Sequence, residues 1–232
     1  MVRCNVSDRG LFVYIMRLPT KSVERACFRS GARAVIGVDE VGMGCLAGPV
    51  VVCAAAFTPT FYHRTYRRLV WMRDSKLLTP SQRERFANEL KRLGIRHAVG
   101  YCYPKTIDRL NIYQAARRAM RRAIARLVTR GQEKMKSIVL VDGPHAIAGL
   151  GLPQKPIVKG DRTVFAIACA SVLAKVFRDR MMRRYAKRFP DYGFEIHKGY
   201  ATKLHQARLA VLGPSPIHRR SFRVHRPSAI LM

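Results

Sequence analysis

Acidic residues are scarce in this chain: 14 Asp and Glu stand against 44 Lys and Arg, a formal charge of +30 over 232 residues. So few acids argue against a cationic partner and favour a polyanion, nucleic acid first among them. A membrane surface is the weaker alternative, because the basic residues run along the whole chain instead of forming one amphipathic cluster. A third reading is compositional bias that serves no site. Cysteine pairs are also missing. None of Cys4, Cys27, Cys45, Cys53, Cys102 and Cys169 stands in C-x-x-C spacing, so neither a zinc site nor a redox pair is indicated. Several lie in apolar runs and read as small buried hydrophobes in a reducing compartment. No apolar stretch approaches the roughly 18 residues of a membrane helix, and Leu11 to Met16 is too short for a signal core. Internal repeats and low-complexity tracts are absent. The only acids before residue 34 are Asp8 and Glu24. That head fits an organellar transit peptide or an ordinary N-terminal extension, and the extension is favoured. The expected location is cytoplasmic, with a mitochondrial or other organellar matrix as the alternative.

What is present is a core and a pattern. Hydrophobic residues make up 48% of the chain, enough for a folded domain. In residues 34–49 an apolar, β-branched run ends in Asp39-Glu40, a Gly42-Met43-Gly44 turn follows, and a second apolar run covers 50–57. This predicts a hairpin with Asp39 at the carboxyl end of a buried strand. Thr79 and Pro80 start a helix that runs to Leu93. A strand follows over 98–103, then a helix over 107–128 with arginines at 117, 118, 121, 122 and 126 that read as a solvated surface. Ser137 to Asp142 repeats the opening pattern, and Ile157 to Asp161 gives a shorter version. A long helix is expected over 164–189, a loop over 191–200, and a short helix from Thr202 to Leu212. The order predicts an α/β domain over 33–222 with a mixed sheet flanked by helices and a C-terminal helical and loop extension. Residues 1–32 are expected to be an N-terminal extension, disordered or for targeting, and 223–232 a basic tail.

Three strand-like runs thus end in Asp39, Asp142 and Asp161, with Glu40 beside the first. An ionised carboxylate at a buried strand end is costly unless paired or bound to metal, and four together repel. Taken alone, each could be a turn former or helix cap. Taken together, oxygen-only donors point to Mg²⁺ or Mn²⁺. Two such ions about 4 Å apart suit phosphodiester hydrolysis. Alternation along a regular strand keeps Asp39 and Glu40 from facing one point, so the strand is expected to twist or finish between them. None of His145, His197 and His218 is placed as an evident base.

The same residues carry a family resemblance. Asp39-Glu40, Asp142-Gly143 and Lys159-Gly160-Asp161 resemble the four-carboxylate active site of ribonuclease HII, the type 2 ribonucleases H. Asp74-Ser75-Lys76, the run from Ile107 to Ala115, Ala170 to Asp179, Tyr192-Gly193-Phe194, His197 to Tyr200 and Gly213 to Phe222 are similar to its further motifs. The resemblance spans roughly residues 33 to 222 and implies a ribonuclease H-like fold. It implies a metal-dependent endoribonuclease that hydrolyses the RNA strand of RNA–DNA hybrids. Such an enzyme also cuts 5′ of ribonucleotides embedded in duplex DNA, leaving 3′-hydroxyl and 5′-phosphate ends. Asp39, Glu40, Asp142 and Asp161 would be both catalytic residues and metal ligands. A monomer is expected. The resemblance makes the Gly42-Met43-Gly44 loop and Tyr200 the sensors of the 2′-hydroxyl and its sugar, and has His197 structure its loop. Ser75, Lys76, Lys175 and Lys198 are candidate phosphate contacts; for the lysines the alternative is solvated surface. The family carries Arg where this chain has Met43, so weaker or less selective activity is expected. The competing reading is a catalytically weak or inactive basic nucleic-acid-binding protein that retains the ribonuclease H fold.

Overall fold

Two apolar runs form the centre of a five-stranded sheet. β1 (Ala34–Val41) and β2 (Val50–Phe57) are buried along nearly their whole length. A computed structural model describes residues 18–65, 69, 71, 72, 74–129 and 136–222. The strand order is β3 (Arg96–Cys102), β2, β1, β4 (Ser137–Asp142), β5 (Gln154–Ile157). β1 is antiparallel to β2 and parallel to β4; β3 and β5 are the antiparallel and parallel edges. The sheet is mixed, as expected.

Helices cover both sides, which is why the central strands read as continuous apolar runs rather than alternating ones. Val35, Cys53 and Phe57 meet α1 (Ser22–Arg29), α3 (Pro80–Arg92) and α7 (Phe165–Arg188), while α2 (Pro59–Thr65) follows β2. Ile36, Val38 and Val52 meet α4 (Pro104–Leu110) and α5 (Ile112–Thr129). At Gly37 a Cβ would fall 2.2 Å from the Ala166 carbonyl oxygen, so only glycine lets α7 lie this close to β1. After α7 the chain folds back through α8 (Phe194–His197) and α9 (Lys203–Leu212), the expected C-terminal extension. Among the described residues no helix is long and apolar enough to cross a membrane. Five cysteines, Cys27, Cys45, Cys53, Cys102 and Cys169, are buried and free.

Four expectations are refined. Firstly, α1, which lies within the expected N-terminal extension, packs on the sheet with Glu24 and Cys27 buried, and Thr20 N donates to the Thr163 carbonyl at 2.9 Å. The Glu24 carboxylate accepts from Ala166 N at 2.8 Å, capping the start of α7. Residues 1–17 and 223–232 of the expected extension and tail lie outside the described residues. Secondly, the helix expected over 107–128 is two helices, because Asn111 adopts φ 66° and its Oδ1 accepts from Gln114 N at 3.0 Å to cap α5. Periodicity hid the break: the buried stripe continues across it. Thirdly, Asp161 is not at a strand end. β5 stops at Ile157, Lys159 turns the chain with φ 56°, and Asp161 sits in the one-turn α6 (Gly160–Thr163). Lastly, the 191–200 loop contains α8.

Candidate active site

The four carboxylates gather where β1 and β4 part. The parallel ladder runs from Ala34 opposite Ser137 to Val38 opposite Val141 and stops there. Asp39 follows at once on β1 and Asp142 on β4. Of the two expected ways to separate Asp39 from Glu40, a twist or an end of the strand, the end does not occur, since β1 stays paired with β2 through Val41 opposite Val51. The end of the β4 ladder does that work instead. Beyond Val141 the β1-facing side of β4 is unpaired, although Asp142 still pairs with Ile157 of β5, so Asp142 lies within the field of both acids although they point to opposite faces. Asp39 is buried on the α7 side, near Ser171. Glu40 lines a shallow depression with Met43, Tyr113, Asp142 and Gly143. Asp161 joins through its backbone: Asp161 N donates to Asp142 Oδ1 at 3.2 Å.

The electrostatics are those of crowded anions. Burial and then the Glu40 and Asp142 carboxylates hold Asp39 well above the usual carboxylate range. Burial and then Asp142 push Glu40 up to about 7. Burial, Asp142 and Asp74 raise Asp161, opposed by Lys76. This oxygen-only set carries the repulsion that a hard divalent cation relieves, and in that respect the residues fit one. Among the described residues, however, no three His, Cys, Asp or Glu side chains form a finished ligand cage. The acids share a field before they share a point.

Asp74-Ser75-Lys76 buttresses this cluster. Asp74, almost fully buried, accepts from Lys76 N at 2.9 Å and from Arg162 Nε at 3.2 Å. Lys76 is exposed and its Nζ lies 3.8 Å from Asp161 Oδ2. Ser75 is buried, with its hydroxyl 2.9 Å from that of Ser171 on α7. Lys175 is also largely withdrawn, ion-paired with Asp179 at 2.7 Å and lying 5.3 Å from the centre of the Tyr200 ring. Lys198 directs its ammonium to the Glu195 carbonyl. Of the three lysines, Lys76 is the one in the carboxylate cluster.

Two buried arginines shape the loop after β1, and nothing in the hydrophobic pattern announces them. Arg178, fully buried, donates to the carbonyls of Pro49 at 2.9 Å, Ala47 at 3.1 Å and Lys198 at 2.9 Å. Arg219 donates to Gly48 at 3.0 Å, Met43 at 2.8 Å and Gly42 at 2.6 Å. Gly42, at φ 92°, leaves no room for a Cβ, which would fall 2.3 Å from Arg178 Nε. Met43 is half-buried and packs toward α5, while Gly44 is exposed. Tyr200 forms a β-bridge to Cys45, which brings it to the same loop. Its ring lies 5.6 Å from the Arg178 guanidinium, and the residue is 36% exposed. Burial and the neighbouring Cys45 push its hydroxyl up to about 12, so it stays protonated.

Behind Tyr200 three histidines form a network. His197 takes Gly199 N–H on Nδ1 at 3.1 Å, so its Nε2 donates to the Tyr192 carbonyl at 2.7 Å. His205 stacks on it at 4.1 Å. The Nδ1 of His205 lies 2.8 Å from the Tyr200 carbonyl and accordingly donates to it. The expectation that His197 structures its loop agrees with these contacts.

A ribonuclease HII family model matches residues 36–225. The ribonuclease HII of Chlorobium phaeobacteroides is 43% identical over 190 residues, covering 82% of this chain and 90% of that protein. The crystal structure of ribonuclease H2 from Pyrococcus horikoshii superposes with a TM-score of 0.64 at 25% identity, covering 82% of this chain and 93% of its own. Bst-RNase HIII in complex with Mn²⁺ has the same fold, with a TM-score of 0.62 at 18% identity and coverage of 81% and 73%. This chain belongs to the ribonuclease HII family and is a type 2 ribonuclease H, an endonuclease.

Proposed function

We propose that the protein hydrolyses the RNA strand of RNA–DNA hybrids and cuts 5′ of single ribonucleotides in duplex DNA, acting as a monomer. The observation that carries this is the shared electrostatic field of Asp39, Glu40, Asp142 and Asp161, three of them raised by burial and by neighbouring carboxylates, where β1 and β4 part. Those four residues would hold Mg²⁺ or Mn²⁺. The bound cation would supply Lewis-acid stabilisation of charge on the phosphate and a more acidic water.

The chain's own residues do the rest. Lys76 sets a positive charge against Asp161 beside the cluster. Asp74 orients Lys76 through its backbone. The Gly42-Met43-Gly44 backbone, two of whose carbonyls Arg219 holds, presents its remaining polar groups to the 2′-hydroxyl, and the exposed part of Tyr200 meets the neighbouring sugar. A site made to hydrogen-bond a hydroxyl discriminates strongly against its absence.

The test is a labelled duplex with one ribonucleotide, incubated with Mg²⁺, with Mn²⁺ and with chelator. Metal-dependent cutting on the 5′ side, leaving a 3′-hydroxyl and a 5′-phosphate, is the expected result. Tight binding of that duplex with no cleavage in either metal would overturn this reading.

A further inference from the structure

Helix α5 carries five arginines and no acidic residue, and the catalytic reading uses none of them. Two of them lie on the open edge of the sheet. Arg122 Nη1 donates to the Tyr101 carbonyl at 3.4 Å, and Arg126 Nη1 to that of Val99 at 2.8 Å, both on the outer strand β3. One such bond leaves the other N–H groups of each guanidinium for another acceptor. β3 itself contains no acid.

Aromatic rings continue the same edge. Tyr101 lies 5.2 Å from Tyr103, nearly edge-on, and is stacked with Phe177 of α7 at 6.4 Å. Tyr103 is 46% exposed and Phe177 38%, although a soluble surface ordinarily hides such rings. Arg180 borders Phe177 in the adjoining depression, its guanidinium already paired with Glu84. The two guanidiniums of Arg122 and Arg126, each with spare donors, therefore share one sheet edge with the partly exposed rings of Tyr103 and Phe177.

We propose that this β3 edge is a second nucleic-acid surface, which takes a single-stranded segment flanking the duplex at the carboxylates. Rings stack on unpaired bases, which a duplex conceals, and arginines take the phosphates between them. The edge is also suitably placed. Tyr101 pairs with Val51, which pairs with Val41, two residues beyond Asp39, so the patch sits at the active-site end of the sheet. Two inter-strand spacings separate them, about 10 Å, a distance a few nucleotides span. The identity of the duplex rests on the ribonuclease reading; the surface itself does not.

The experiment uses the full chain and a labelled oligothymidylate of about 12 nucleotides, which has no ribose 2′-hydroxyl to cut. Tyr103→Ala with Phe177→Ala is expected to weaken its binding about tenfold, the size of one lost base stack. Arg122→Gln with Arg126→Gln should lower the slope of log affinity against log salt by about 1.4, two single-strand phosphate contacts. Cleavage of a blunt duplex with one ribonucleotide should be unchanged in both variants. Unaltered oligothymidylate binding in both would overturn the surface. So would polyglutamate competing as well as oligothymidylate, since that would make it a plain charge patch. A parent protein that never cuts the blunt duplex, yet loses oligothymidylate through these substitutions, would overturn the ribonuclease reading and leave the surface standing.

Discussion

The Nε2 atoms of His205 and His218 lie 3.0 Å apart, both side chains buried. His218 Nδ1 takes the Ser215 backbone N–H at 2.9 Å, so its proton must sit on Nε2 and point at His205. His205 then accepts on Nε2 and donates from Nδ1 to the Tyr200 carbonyl at 2.8 Å. The chain is satisfied only when both rings are neutral; a proton on either would set N–H against N–H. Burial accordingly lowers both groups to about 4.

Stability should therefore fall in acid. Between pH 6.5, the ordinary histidine value, and about 4 the unfolded chain binds protons that the folded chain refuses. The contribution is complete above pH 6.5 and is lost as pH falls toward 4. Thermal melts across this range should show the loss, and His205→Asn should flatten it. An unchanged profile in His205→Asn would assign the acid sensitivity elsewhere.

Glu40 should be stabilising when uncharged. Its carboxyl is raised from the model-peptide value of 4.5 to about 7, so folding favours the protonated form, and stability declines as pH rises through that interval. At pH 8 without divalent metal, Glu40→Gln should melt higher than the parent. Added Mg²⁺ should raise the parent's melting temperature more than the variant's, and cleavage should drop by about a hundredfold or more. A variant that melts lower at pH 8 would contradict the crowding of charge.

Arg178 ties the 47–49 segment to Lys198. Arg178→Lys keeps the charge but cannot hold all three carbonyls, so it should cost about 2 kcal/mol of stability in urea melts. Because the guanidinium also lies beside the Tyr200 ring, KM for a ribonucleotide-bearing duplex should rise more than kcat falls. Equal losses for all substrates, in proportion to unfolding, would reduce Arg178 to a purely structural part.

Met43→Arg should improve cutting at a single ribonucleotide, by supplying a cation next to the loop that lines the Glu40 and Asp142 depression. Met43 is half-buried against the α5 side, so the gain should come with a loss of about 1 kcal/mol in stability. No gain in kcat/KM would mean that the surrounding charge already compensates.

Glu24 offers a test of where the domain begins. Its Oε1 caps Ala166 N, while Oε2 is buried without a partner. Glu24→Gln keeps an acceptor and removes the buried charge, and should be neutral or stabilising. Glu24→Ala strands the Ala166 N–H and should cost about 1–3 kcal/mol in denaturant melts. Equal melting of Glu24→Ala and the parent would return α1 to the status of an appendage.

The chain by itself determined the ladder of elements and the acids. Residues 34–41, 50–57 and 137–142 are apolar on both faces, and Thr79-Pro80 opens α3 with a capping box, so these segments carry their structure locally. Only the three-dimensional structure showed the break at Asn111 and the removal of Asp161 to a helical turn, both made by local left-handed residues that periodicity does not register. The docking of α1 and the burial of Ser75, Arg178 and Arg219 depend on partners far away in the chain: Arg219, for instance, holds carbonyls 176 and 177 residues before it. A periodic pattern records which side of an element meets the core, and it cannot record which distant carbonyl a buried guanidinium will satisfy.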